Sequence, residues 1–175
     1  MQSPIFPDVH IPILADVALP EVHRVRLAQP TAPAIADIAG RVAEALGESA
    51  ELAALRPGAS VAIAVGSRGI ADLATRVKAS VTWLRAQLLE PFIVPAMGSH
   101  GGAVAEGQAA VLAKLGIDEA RVGAPVRATM ETVELGRTSD GIPCRFDAHA
   151  AAADAILVIA RVKSHTSFDR PIESG

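Results

Sequence analysis

A chain of 175 residues with a formal net charge of −3 is long enough to bury a core as one domain, and it offers no electrostatic case for nucleic acid or an anionic membrane. Half of the residues are hydrophobic, yet only four are Phe, one is Trp and none is Tyr, so the predicted core is aliphatic and little is present on which a base could stack. The single cysteine, Cys144, excludes an internal disulfide framework and a cysteine-based zinc site.

The opening MQSPIFPDVHIPIL lacks the basic start and long apolar region of a signal peptide. No apolar stretch of about 18 residues runs free of charge, so a cytoplasmic protein with no membrane partner is expected. Alternation around Val22–Leu27 permits a short strand. Residues 33–55 read as helix, with Pro33 in the first turn and Ile35, Ile38, Val42 and Leu46 at helical spacing. Arg56-Pro57-Gly58 ends that segment, and the apolar run 59–65 reads as the first core strand.

After Gly69, the stripe Ile70, Leu73, Val77, Val81, Leu84 and Leu88 predicts an amphipathic helix of about five turns, closing near Glu90-Pro91. The run 91–97 is a second strand. Val104, Val111, Leu112 and Leu115 mark another helix, stopped by Gly116. Residues 132–147 read as a hairpin turning at Asp140-Gly141, with Cys144 as a small buried apolar residue of its second strand. A short helical link, 148–155, leads into a third apolar run, 153–160.

Strands alternating with helices predict an α/β fold: a three-layer, Rossmann-like domain with a mostly parallel sheet and a β-hairpin appendage. No covering helix follows the third run. Residues 1–175 are therefore expected to form a single α/β domain, the amino-terminal part of a longer two-domain protein.

Parallel strands share their carboxyl edge, where open α/β sheets bind ligands. The three runs lead into Gly66-Ser67-Arg68-Gly69, Gly98-Ser99-His100-Gly101-Gly102 and Arg161-Val162-Lys163-Ser164-His165-Thr166, so Arg68, His100, Lys163 and His165 are expected in one crevice. Glycine-rich turns opening helices favour anions, and the Arg68 fork can grip a carboxylate or phosphate. His100, flanked by glycine, suits proton transfer or metal ligation. Lys163 beside His165 opposes protonation of that imidazole and can tune a base. Glu106 and Gln108 lie on the following helix, either as site groups or as a solvated face. His10, His23 and His149 read as structural or surface residues.

No P-loop, G-x-S-x-G elbow, H-E-x-x-H or G-x-G-x-x-G motif is present. Ser67 and Ser99 have no evident base–carboxylate partner, which argues against a serine hydrolase. Two imidazoles can instead serve opposite faces of a small substrate while an arginine holds its carboxylate, which is what a racemase or epimerase of a hydroxy acid needs. The alternative is a non-catalytic anion- or nucleotide-binding α/β domain.

The segments GSRGI (66–70), PAMGSHGGAVAEGQ (95–108), TSDGIPCRFD (138–147) and RVKSHTSFDRPIESG (161–175) together resemble the amino-terminal domain of the lactate racemase family. The resemblance implies a two-domain enzyme that racemises or epimerises a small 2-hydroxy acid, using a nickel-pincer nucleotide bound between its domains. It implies that His100 removes the hydroxyl proton while hydride moves to the cofactor, that His165 assists on the other face, and that Arg68 holds the substrate carboxylate or nearby cofactor groups. Gly66, Ser67, Gly69, Gly98, Ser99, Gly101 and Lys163 then complete the substrate- or cofactor-binding surface. The family's cofactor-tethering lysine and nickel-ligating histidine would fall after Gly175. No metal ligand is therefore expected within these residues, and the fragment alone is expected to be inactive, without covalent cofactor. GSRG and SHGG depart from the T-R-P and T-H-R forms of the family, so a different hydroxy acid, or a reaction other than racemisation, is open.

Overall fold

A computed structural model describes residues 12, 18, 21, 23–26, 33–67 and 69–162. Contacts separate residues 1–34 from residues 35–175, and the fold below is that of the second unit. Residues 23–26, part of the stretch read as a possible strand, have no regular structure.

The helical segment opens later than its composition indicates. Helix α1 spans Ile38–Gly47, and the Asp37 side chain accepts from the Gly40 N–H at its start. That capping bond, rather than Pro33, fixes the first turn. The helix stops at Glu48, and Ser49 caps a short α2, Ala50–Ala53, by accepting from the Leu52 N–H. A serine that can bond to the backbone ahead of it breaks one long helix into two.

Strand β1 (Ser60–Val65) lies between β2 (Glu90–Pro95) and β5 (Ala155–Ile159), and both pairings are parallel. Residues 125–127 add a single bridge outside β2, through Ile93 and Val126. Helix α3 (Leu73–Ala86) connects β1 to β2 and buries Leu73, Val77, Val81 and Leu84 against the sheet. Helices α4 (Ala105–Lys114) and α5 (Glu119–Val122) add Leu112 and Val122 to the same layer. Val61, Ile63 and Val65 of β1 and Ile93 of β2 close this core, and all four are fully buried. The opposite face carries a smaller cluster of Ala62, Phe92 and Val94 with Ala150 of the short helix α6, Ala148–Ala151. Both faces therefore carry helix, very unequally.

The hairpin forms from β3 (Thr132–Arg137) and β4 (Pro143–Asp147), which pair antiparallel in a sheet of their own. Its turn is wider than a two-residue loop: the Thr138 N–H donates to the Ile142 carbonyl, and Gly141 sits at φ +79°. The expected burial of Cys144 is corrected here, because its side chain is exposed. A two-stranded ribbon with no layer packed over that stretch leaves it in water.

Candidate functional site at the carboxyl edge of the sheet

Register places the three strand ends in one row. Val65 pairs with Pro95 on one side and with Ile159 on the other, so the loops after β1, β2 and β5 leave from a common edge. The Gly66 N–H continues the ladder by donating to the Ile159 carbonyl at 3.1 Å. Ser67, the next residue, is thereby placed on the strand end rather than in a free loop.

Across the edge, Ser67 Oγ lies 3.2 Å from His100 Nε2, and both residues are half-buried. His100 begins a 3-10 turn, His100–Ala103, and its Nδ1 is hydrogen-bonded to the Met97 carbonyl. A carbonyl oxygen only accepts, so Nδ1 carries the proton of the neutral ring and Nε2 presents its lone pair. The Ser67 hydroxyl then donates to Nε2. The arrangement is a base with one nitrogen anchored to the backbone and the other turned to a hydroxyl.

The turn bearing His100 is held by glycine and glutamine. Gly98, Gly101 and Gly102 adopt φ of +57°, +63° and +74°, a region that costs other residues energy. Gly101 and Gly107 also meet backbone to backbone, and a Cβ on either would overlap the other. Gln108, 5 % exposed, donates from Nε2 to the Gly98 carbonyl at 2.6 Å. Of the two readings left open for Gln108, the solvated face is wrong: it is a buried strut under the loop. Glu106 is exposed, as are His23 and His149.

The third strand end reaches the first loop through Arg161. Its Nη1 donates to the Gly69 carbonyl at 3.4 Å, and a Cβ on Gly69 would come within 2.8 Å of that nitrogen. Gly69 is at φ +72°, so glycine is needed there for conformation and for space. Ser99 is exposed beside His100. Arg68, Lys163 and His165 lie outside the described residues, as does His10.

One pairing and one group escaped the sequence reading. Ser67 has a base partner after all, one separated from it by 33 residues. Arg161 was seen only as the start of the third loop, although a guanidinium directly after an apolar strand was the signal available for it. Among the described residues no group of His, Cys, Asp and Glu is gathered as a metal site, and no helix is long and apolar enough to cross a membrane. A cavity of about 730 Å³ lies elsewhere, bordered by Ala43, Ala74, Trp83 and Lys78. No carboxylate or histidine lines it. No family model, curated protein or solved structure matches the chain.

Proposed function

We propose that this α/β unit is the substrate-handling amino-terminal part of a lactate-racemase-like isomerase, acting on a small 2-hydroxy acid, with His100 as the base for the hydroxyl proton. The observation that carries the reading is the Nε2 lone pair of His100, aimed at a hydroxyl 3.2 Å away while Nδ1 is anchored on Met97. A substrate hydroxyl entering beside Ser67 meets the same nitrogen. Arg161, bonded to the loop after β1 from the end of the neighbouring β5, offers its remaining N–H donors to a carboxylate. In this reading the substrate hydroxyl meets His100 and an arginine of the same edge holds its carboxylate. Arg68 as a carboxylate or cofactor grip and His165 as the base of the second face belong to the same proposal, on the strength of the sequence resemblance.

The nickel-pincer nucleotide implied by that resemblance finds no ligand set for nickel among the described residues, and no step of the proposal passes through it. The chemistry assigned to this chain is binding, orientation and movement of the hydroxyl proton onto Nε2. The rival reading is an anion- or nucleotide-binding module that uses the same edge. Asp72 stands at the N-cap position of α3 without a capping bond, and Glu106 occupies the first turn of α4, so both helix starts beside the edge carry a carboxylate and either reading relies on arginine to hold an anion.

The test is chiral analysis of D- and L-2-hydroxy acids incubated with the full-length, cofactor-loaded protein. His100→Asn is expected to lower kcat about 100-fold or more with KM little changed. Arg161→Met is expected to raise KM about tenfold through loss of a charged hydrogen bond. Full turnover in His100→Asn, or ligand binding with no turnover in any form, would favour the binding module.

A further inference from the structure

We propose that Ser67 is itself a nucleophile, activated by His100, which takes the acyl group of an activated ester. This goes beyond the isomerase reading and needs neither hydroxy acid nor cofactor. Nucleophilic serines are recognised by a base within hydrogen-bond reach and a third group that orients the base. Ser67 Oγ and His100 Nε2 meet that distance at 3.2 Å, and the Met97 carbonyl orients the ring through Nδ1. Both partners stand on fixed supports: Ser67 follows the Gly66–Ile159 backbone bond, and the His100 turn rests on Gln108.

The step balances within the pair. Ser67 Oγ bonds to the acyl carbon as its proton passes to Nε2. The ester C–O bond then breaks, and the leaving oxygen departs as the alkoxide or takes that proton. The third group sets the substrate class. A carbonyl is a dipole, not a full charge, and it steadies the imidazolium less than the carboxylate of a serine–histidine–aspartate triad does. Leaving groups that need little protonation are therefore favoured, which means aryl and similarly activated esters of short acids.

The experiment mixes the protein with p-nitrophenyl acetate and follows p-nitrophenolate release, then locates the acetyl group by peptide mass mapping. A fluorophosphonate probe, mapped in the same way, needs no variant. The expected result is a burst approaching one equivalent per chain, with acetyl and phosphonyl groups both on Ser67. The acetyl group is expected to be absent in Ser67→Ala, the burst rate to fall about 100-fold or more in His100→Asn, and Ser139→Ala, in the exposed hairpin turn, to behave as wild type. Circular dichroism melting confirms that each variant is folded. A burst surviving in Ser67→Ala, label on another residue, or no burst and no probe labelling in the folded wild type overturns the proposal. So does steady release without acyl-enzyme, which would make His100 itself the attacking group. Racemisation can fail while the burst is present, and the reverse, so the two proposals are separable.

Discussion

At the scale of single residues, the site depends on which nitrogen of His100 holds a proton, and the Met97 carbonyl at Nδ1 decides that while Gln108 supports the turn. Gln108 donates to the Gly98 carbonyl from a nearly buried position, and it fixes the strand-to-turn corner from which the imidazole projects. Replacing it with leucine removes that hydrogen bond, at a cost of about 0.5–1.5 kcal/mol. Gln108→Leu is therefore expected to lower the melting temperature and also to slow the p-nitrophenyl acetate burst, because the ring loses its placement. A burst rate unchanged at reduced stability would make Gln108 structural only. From the sequence, Gln108 was one polar residue on a helix facing water or ligand. Nothing local shows that the helix turns it toward a backbone carbonyl ten positions earlier.

At the scale of elements, one ion-dipole cluster pins β1 to β5 at the end opposite the site. Asp154, just before β5, accepts from the Ser60 N–H and the Ser60 hydroxyl, each at 2.8 Å, and Arg56 lies 3.8 Å away. The Ser60 N–H first, then its hydroxyl, holds the Asp154 carboxyl below the usual carboxylate range. A carboxyl whose folded value is depressed contributes stability that is complete above its unfolded value, near 3.8, and is lost as pH falls through the lower folded value. Asp154→Asn is accordingly expected to melt lower than wild type at neutral pH and to converge with it in strong acid. Parallel melting curves across that range would contradict the role.

The elements differ in how far the sequence discloses them. The three core strands were legible because their apolar runs are continuous; glycine or proline bounds β1 and β2, whereas β5 lies between Asp154 and Arg161 and leaves Ile156 and Val158 exposed. The stripe Leu73, Val77, Val81, Leu84 likewise declared α3, although Asp72 and not Gly69 marks its start. The break at Ser49 was hidden because it depends on a capping bond inside an otherwise helical composition. Cys144 was misread because burial on a hairpin depends on what lies over it, which local pattern does not contain.

At the scale of the whole molecule, an aliphatic core with little aromatic content packs α3, α4 and α5 onto one face of a parallel sheet and holds three strand ends level. Level ends bring residues far apart in sequence to one edge: Ser67 to His100, and Arg161 to Gly69. The edge itself could be foreseen from strand order, whereas the pairing across it could not, since it rests on positive-φ glycines that curl the second loop back toward the first. Both proposed chemistries use one property of that edge, a neutral imidazole whose outward nitrogen is unprotonated.

The direct measurement is the tautomer of His100 by long-range nitrogen–proton correlation on uniformly ¹⁵N-labelled protein, recorded where the ring is neutral and assigned by comparison with His100→Asn. The expected result is a proton on Nδ1, held by the Met97 carbonyl, and a bare Nε2 facing Ser67. A neutral ring protonated on Nε2 would contradict the account, because neither a substrate hydroxyl nor Ser67 could then deliver its proton there.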